Sequence, residues 1–376
     1  MKYIHVMTKE KFTDGIAAFY NHFFNNGEHE IIYFHRKNED SLMNENLKIC
    51  QKEYYSNNRN DIVEFLLSLQ CDYIFLHSLF FVTIIDKIKI LFKKNLMNKI
   101  IWIEWGADLY SWEKQGNLKS KLSNLINYSF RQKLKYVVCI FKPDLEYFKH
   151  KFPNSRAKLY YAPYTGYPRP KELTVQYNEI SRLREDLRIG APIYIQIGHN
   201  GAETLNHKKI LNYLFKFKEE NIRLVIPLSY GGTREYADGI EAYARKLFGD
   251  KVIILREFMP EKKYYELINK VSIAIFDTTR QCALGNINIM IFRNVKLYLS
   301  QNGVMYDYFS KNGIPVNKCE DICKCTYSKL VEPVISRDIT KFNQYIYDIS
   351  HIESSVEKWK AIFTDLKLRK KNKFED

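Results

Sequence analysis

The sequence predicts an α/β protein made of two Rossmann-like domains, each built on a parallel sheet and facing the other across a cleft. Three observations carry that prediction. Strand-length apolar runs alternate with helix-length amphipathic runs along the first 165 residues, and the alternation restarts near residue 191. The apolar runs lack a polar face, as strands do when helices cover both sides of a parallel sheet. Between the two series lies "PYTGYPRPKE" (163–172), rich in proline, which is the best linker candidate in the chain.

Taken in order, "KYIHVM" opens as a strand and "TDGIAAFYNHFF" follows as a helix. "HEIIYFH" is a second strand. "RNDIVEFLLSLQ" places Ile62, Phe65, Leu66 and Leu69 on one side of a helix. "DYIFLHS", "NKIIWIEWG", "KYVVCIF" and "KLYYAPY" supply further strands. After a charged helix, "EISRLREDLRI", the second series begins with a strand at 193–198 and a helix near 204–218. Then come strand "IRLVIPLS", helix "REYADGIEAYARKLFG", strand "KVIILRE", helix "KKYYELINKV" and strand "SIAIFD". Another helix starts after "RQCALGN", and the chain is helical from about residue 340. The expected division is therefore 1–165, a linker at 166–190, 191–340, and a helical segment at 341–376 that packs back toward the first domain.

The chain has 376 residues, enough for two such domains, with 46% hydrophobic and 27% charged residues. Met1 runs straight into the first strand, so no cleavable signal is expected. No apolar run approaches the roughly 18 residues that a membrane span needs. The seven scattered cysteines form no disulfide framework. A cytoplasmic protein is expected. The net charge of +15 suits a nucleotide, a polyanion or an anionic membrane face. Nucleic acid is not expected, because the basic residues cluster with aliphatic side chains instead of forming a reading module interleaved with aromatics.

Two segments of the second domain suit an anion. "IYIQIGHNGAETLNH" (193–207) is a strand, a glycine turn and a polar helix start, the way α/β proteins build phosphate sites. Gly198 and Gly201 would let the backbone approach a diphosphate, with Asn200, Thr204 and Asn206 able to cap or bond. The pattern is not the G-x-G-x-x-G of dinucleotide enzymes, and the alternative is a plain tight turn. "FDTTRQCALGNINIMI" (276–291) joins a strand end to a loop carrying Arg280 and Gln281, then to Gly285, Asn286 and an apolar helix. Arginine binds phosphate oxygens bidentately; the alternative is an arginine tied to Asp277. A nucleotide turn on the first strand of a second α/β domain is the GT-B arrangement, in which the C-terminal domain holds an activated sugar's nucleotide.

In the first domain, "WIEWGADLYSWEKQG" (102–116) lies at a strand's C-terminal end, where open α/β sheets bind ligands. Asp108 is a candidate base for an acceptor hydroxyl or a helix cap, and His77 ends "DYIFLHS" at the same rim. Glu104 is a further acid nearby. Two basic amphipathic stretches, 79–99 and 118–135, offer Lys87, Lys89, Lys93, Lys94, Lys121 and Arg131 to an anionic membrane surface. Ordinary domain helices are the alternative reading for each. "CEDICKC" (319–325) lacks a fourth ligand at zinc spacing, and no metal is expected.

"WGADLY", "IGHNGAETLNH", "VIPLSYGGTREYADGI" and "FDTTRQCALGNI", in this order over roughly residues 70 to 300, resemble glycosyltransferase family 56. Its named activity is TDP-Fuc4NAc:lipid II Fuc4NAc transferase of enterobacterial common antigen synthesis, also labelled 4-alpha-L-fucosyltransferase. The resemblance implies a GT-B enzyme, peripheral on the inner face of the cell membrane. It would move a deoxyamino sugar from a dTDP or UDP donor to a polyprenyl-diphosphate-linked saccharide. It also implies His77 and Asp108 in the acceptor cleft, and Gly198, Asn200, Gly201, Asn206 and His207 in the first donor loop. Tyr230 and Tyr236 fall in the next matched segment, and Arg280, Gln281, Gly285 and Asn286 in the last. The expected cofactor is none, the nucleotide sugar being a substrate. The alternatives are a GT-B transferase with a teichoic-acid-type or protein acceptor, and a non-catalytic nucleotide- or lipid-binding scaffold.

Overall fold

The computed structural model describes residues 1–10, 13–36, 52–56, 62–113, 115–163, 182–334, 336 and 338–375. The proline-rich stretch expected as the linker lies outside them beyond Pro163. The chain divides into two compact units, residues 1–169 with 351–376, and residues 170–350. The second unit thus runs through Ser350 instead of stopping at 340.

The first unit contains β1 (Tyr3–Met7), α1 (Thr13–Phe23), β2 (His29–Arg36), β3 (Lys52–Ser56), α2 (Ile62–Ser68), β4 (Tyr73–His77), α3 (Ile84–Leu91) and α4 (Lys94–Met97). It continues through β5 (Ile100–Glu104), α5 (Ala107–Tyr110), α6 (Leu118–Lys133), β6 (Tyr136–Cys139), α7 (Lys142–Lys151) and β7 (Lys158–Tyr161). Its seven strands are parallel, in the order β3-β2-β1-β4-β5-β6-β7. Strand alternation splits the apolar residues between two covered faces. Ile4 and Val6 join Leu76, Trp102 and Val137 on one, while Tyr3 and Met7 join Phe75, Ile103 and Val138 on the other.

The second unit contains α8 (Arg182–Ile189), β8 (Ile193–Ile197), α9 (His207–Leu214), β9 (Ile222–Pro227), α10 (Arg234–Phe248), β10 (Val252–Leu255), α11 (Glu261–Ile268) and β11 (Val271–Phe276). α12 (Leu284–Phe292), β12 (Lys296–Leu299), α13 (Val304–Lys311), β13 (Val316–Lys318), α14 (Tyr327–Leu330) and α15 (Ile339–Ser350) complete it. Its six strands are also parallel, in the order β10-β9-β8-β11-β12-β13. The final helix, α16 (Ile352–Glu375), belongs to the first unit. There Trp359, Ile362, Phe363 and Leu366 enter the face that carries Tyr3 and Phe75.

Several elements differ from the sequence expectation. The helix near 204–218 is cut to His207–Leu214, with single 3-10 turns before and after it. The amphipathic run 79–99 is two helices, because the capping box of Thr83 and Asp86 starts α3 and the chain turns again at Lys93. Three strands were not expected: β3 and β13 at sheet edges, and the short β12. β12 begins at Lys296, whose ammonium is buried and donates to the carbonyls of Lys329 and Glu332, so its sequence does not read as a core strand.

Candidate functional site

The strand orders locate a switch point in each unit. In the first, the chain winds outward from β1 through β2 to β3, then returns to the other side of β1 with β4. In the second it winds from β8 to β10 and returns beside β8 with β11. The connections leave in opposite directions at the C-terminal ends of each such strand pair, which opens a crevice suited to a ligand. His77 ends β4 at the first switch point. Gly198 follows β8, and Asp277 follows β11, at the second.

At the second switch point the two loops are tied together. Gly198 N–H donates to the Ile275 carbonyl at 2.8 Å, and Asn206 Nδ2 donates to the Asp277 carbonyl at 3.0 Å. The glycines serve close packing inside the protein. Gly198 has φ 66°, and a Cβ there would lie 2.8 Å from His207 Nε2. The Gly201 N–H donates to the Tyr230 carbonyl at 2.7 Å, and a Cβ on Gly232 would sit 1.9 Å from the Gly201 carbonyl oxygen. Two backbones thus pass in contact. The amides of Gly198 and Gly201 are spent on the protein itself, so the glycines shape the loop without contributing those two N–H groups to a ligand. Asn200 is buried, and its Oδ1 accepts the Ala202 N–H.

His207 is buried against the Tyr236 hydroxyl, 3.1 Å from Nδ1, and burial holds its pKa down at about 4. Thr204 is exposed. Tyr230 stacks on Phe258 with ring centroids 5.5 Å apart and planes 16° apart, beside His199. Phe258 is exposed, giving a flat aromatic surface at the ends of β9 and β10.

Across the switch point, Asp277 is paired with Lys209 at 2.9 Å, not with Arg280. The alternative that would have consumed the arginine is therefore not what the fold does. Arg280 is partly exposed, and its Nε is buried without a partner among the described residues. Gln281 is buried beside it in sequence, and Gly285 is exposed with open space above its Cα. Asn286 donates to the Tyr264 hydroxyl at 2.9 Å, a link to α11.

In the first unit the carboxylate of Asp108 is buried and accepts three N–H groups. Leu79 N and Trp102 Nε1 donate to Oδ2 at 2.9 and 2.8 Å, and Trp105 N donates to Oδ1 at 2.8 Å. It clamps the turn after β4 to β5. Glu104 is also buried and accepts the N–H groups of Gly106 and Ile140. Asp144 is a second buried acid beside it, and Tyr110 donates to Asp144 at 2.6 Å. Burial pushes Asp144 up to about 7 and Glu104 well above the carboxylate range, so the pair holds a proton. His77 is buried, with Nε2 3.0 Å from His5 Nδ1 and Nδ1 unpartnered among the described residues. Sequence reasoning did not single out His5, Asp144, Phe258 or Lys209. A histidine inside an otherwise apolar strand, as in "YIHVM", was the one available signal.

Two cations expected at a membrane surface are inside the protein. Lys87 is buried and donates to Asn127 Oδ1 at 2.8 Å. Arg131 is buried, donates to the Asp108 carbonyl at 2.7 Å and lies over the rings of Trp102 and Trp112. Both sit on the inner stripe of their helices, where α3 and α6 meet. Lys89, Lys93, Lys94 and Lys121 are exposed. So are Phe80, Ile85, Phe92, Leu118, Leu122 and Leu125, with Phe92 83% and Leu118 81% accessible. The spacing 85-89-92 on α3 and its end, and 118-122-125 on α6, makes one outward stripe on each of two packed helices.

A family model, 4-alpha-L-fucosyltransferase glycosyl transferase group 56, matches residues 4–343. Among solved structures, an alpha,alpha-trehalose-phosphate synthase (UDP-forming) from Burkholderia vietnamiensis is similar with a TM-score of 0.65 and 9% identity, over 99% of this chain and 98% of that one. A structure from E. coli described as trehalose-6-phosphate bound with UDP-2-fluoro glucose gives 0.63 at 11% identity, over 98% and 99%. Anabaena Alr3699/HepE in complex with UDP and glucose gives 0.64 at 9% identity, over 97% and 100%. The fold is GT-B.

Proposed function

The chain belongs to the 4-alpha-L-fucosyltransferase family, glycosyltransferase group 56, and from that membership we propose which sugar transfer it performs. It is a glycosyltransferase. Its donor is a dTDP- or UDP-linked deoxyamino sugar of the Fuc4NAc type, and its acceptor a polyprenyl-diphosphate-linked saccharide. The reaction runs without a metal, on the inner face of the cell membrane.

The observation that carries the donor site is Arg280, a guanidinium at the β8–β11 switch point with no partner on Nε among the described residues. Breaking the sugar–phosphate bond leaves its electron pair on the diphosphate, and that charge must be neutralised as it develops. Arg280 supplies a bidentate cation there, while Lys209 neutralises Asp277, whose carboxylate would otherwise repel the diphosphate. The Tyr230–Phe258 stack offers a flat surface for the nucleobase. Two of the similar structures carry UDP or a UDP sugar, which supports a nucleoside diphosphate at this end of the second sheet.

On the acceptor side, Asp108 has three of its four carboxylate lone pairs committed to N–H donors, and we assign it to holding the rim. His77, with a bare ring nitrogen at the same rim, is the base for an acceptor hydroxyl in an inverting transfer. The membrane reading rests on the apolar stripes of α3 and α6 with their flanking Lys89, Lys93, Lys94 and Lys121, the composition of an interfacial helix pair. No helix among the described residues is long and apolar enough to cross a membrane.

The test is calorimetry with dTDP, UDP, GDP and NAD, each with and without magnesium, on the wild type and on Arg280→Ala. Metal-independent binding of one diphosphate, weakened by the substitution, is the expected result. Failure to bind any diphosphate overturns the proposal.

A further inference from the structure

We propose that His77, His5 and His29 form a proton relay leading from the β1–β4 switch point to the opposite edge of the first sheet. The three rings come from three adjacent strands, β4, β1 and β2. His77 Nε2 lies 3.0 Å from His5 Nδ1, and His5 Nε2 lies 3.1 Å from His29 Nδ1. In register, His5 stands beside Phe75 on β4 and Ile31 on β2. His77 is therefore two residues toward the C-terminal edge, and His29 two residues toward the N-terminal edge. The rings cross the sheet from the edge where ligands bind to the far one.

Packing holds them in place. His5 is fully buried, stacked on Phe75 at 4.7 Å and against Tyr20 at 4.0 Å. His29 is half-buried between Tyr3 and Phe363, at 4.9 and 4.5 Å. Ser78, immediately after His77, has φ 80°, a strained value for a residue with a side chain. Such strain gathers at functional sites.

Neutral rings satisfy both N···N contacts in only two ways: every ring carries its proton on Nδ1, or every ring carries it on Nε2. A buried N–H with no acceptor is the rarer defect, and His77 Nδ1 is buried with no partner among the described residues. The resting order is therefore Nε2–H in all three, which leaves a lone pair on His77 Nδ1. A proton bound there sends the His77 Nε2 proton to His5 Nδ1. The His5 Nε2 proton then passes to His29 Nδ1, and the His29 Nε2 proton leaves to water. Every ring ends neutral with its proton on Nδ1. Once the product has gone, water removes the His77 Nδ1 proton and the same transfers run backward, drawing a proton in at His29.

The relay answers an electrostatic difficulty. Burial pushes His77 down to about 3 and His5 well below the ordinary histidine range, because an imidazolium is poorly solvated in the core. A lone histidine there is a weak base. Passing the charge outward delivers it to His29, beside Glu28, Lys367 and the N-terminal ammonium. The inference rests on the reading of His77 as the base; His5 and His29 are positioning residues acting through it.

The test uses protein carrying isotope-labelled histidine, with the ring nitrogens followed by NMR from neutral pH down to about pH 4, where burial holds the His29 pKa. Near neutral pH all three rings are expected as Nε2–H, with couplings across both N–H···N bonds. Protonating His29 makes its Nδ1 a donor, which forces both inner rings to Nδ1–H. His77 should therefore change tautomer at the His29 midpoint, a response that mere packing does not produce. In His5→Phe the His77 tautomer should ignore that titration; if this variant fails to fold, His29→Phe breaks the chain at its half-buried end. His29→Lys, a donor throughout, should hold His77 as Nδ1–H already at neutral pH. Unlike tautomers at neutral pH, or a wild-type His77 indifferent to His29, overturns the relay. None of these readouts needs substrate, so failed nucleotide binding would sink the transferase proposal separately.

Discussion

At Arg280 a guanidinium reaches the end of the second sheet with one N–H unpaired among the described residues, while the neighbouring Asp277 takes its cation from Lys209. Replacing Arg280 with alanine should cost about 1.5–3 kcal/mol of diphosphate binding, the worth of hydrogen bonds to a charged group, or roughly a ten- to hundredfold rise in Kd. Calorimetry against the wild type reads it directly. Gly198→Ala tests the packing role of the glycine turn. Its φ of 66° and the 2.8 Å approach to His207 predict a loss of about 1–3 kcal/mol in stability, measured by denaturant unfolding. Asp144 sets a pH dependence. Its folded pKa of about 7 lies above the ordinary carboxylate value, so the folded state binds the extra proton and stability falls as pH rises from about 4 through about 7. Asp144→Asn should reduce that fall to the part the buried Glu104 contributes, and Tm for both proteins across this interval gives the difference. The buried His5, His29, His77 and His207, with folded pKa values below the ordinary histidine range, push the other way over much of the same interval and cancel in the comparison. Sequence supplied these residue types but not their partners. Asp108 read equally as base or cap, and only its three donors assign it to the rim.

At the scale of elements, the pair α3 and α6 and the terminal α16 make opposite use of amphipathicity. α3 and α6 bury one stripe, including Lys87 and Arg131, and leave leucines and phenylalanines outside. Phe92→Glu with Leu118→Glu should abolish retention on anionic vesicles while leaving nucleotide affinity unchanged; unchanged retention would remove the membrane reading. Binding should also weaken with salt, since the exposed lysines act through a screened field. α16 instead buries its apolar residues. Trp359→Ala should cost about 3–5 kcal/mol, seen as a lower Tm, because the indole is 4% exposed and packs on Phe75 and Tyr20. The basic character of 79–99 and 118–135 was plain from sequence. Which cations faced outward was not, since periodicity gives a stripe but not the stripe's partner.

Across the whole chain, the sequence by itself determined the two α/β series, the parallel character of both sheets and the rims on which the motifs lie. Those properties follow from local patterning. Strands apolar on both faces, separated by helices, leave little choice but a covered parallel sheet. The family resemblance added the chemistry, and the match over residues 4–343 bears it out at the level of a glycosyltransferase. The tertiary structure alone decided the strand orders, and with them the switch points that bring His77 beside β1 and Asp277 beside Gly198. It also decided the short or lysine-led strands β3, β12 and β13, the return of α16 to the first sheet, and the contact of His29, His5 and His77. Those facts depend on residues tens to hundreds of positions apart, whose meeting is fixed by packing in three dimensions and leaves no periodic trace in the chain.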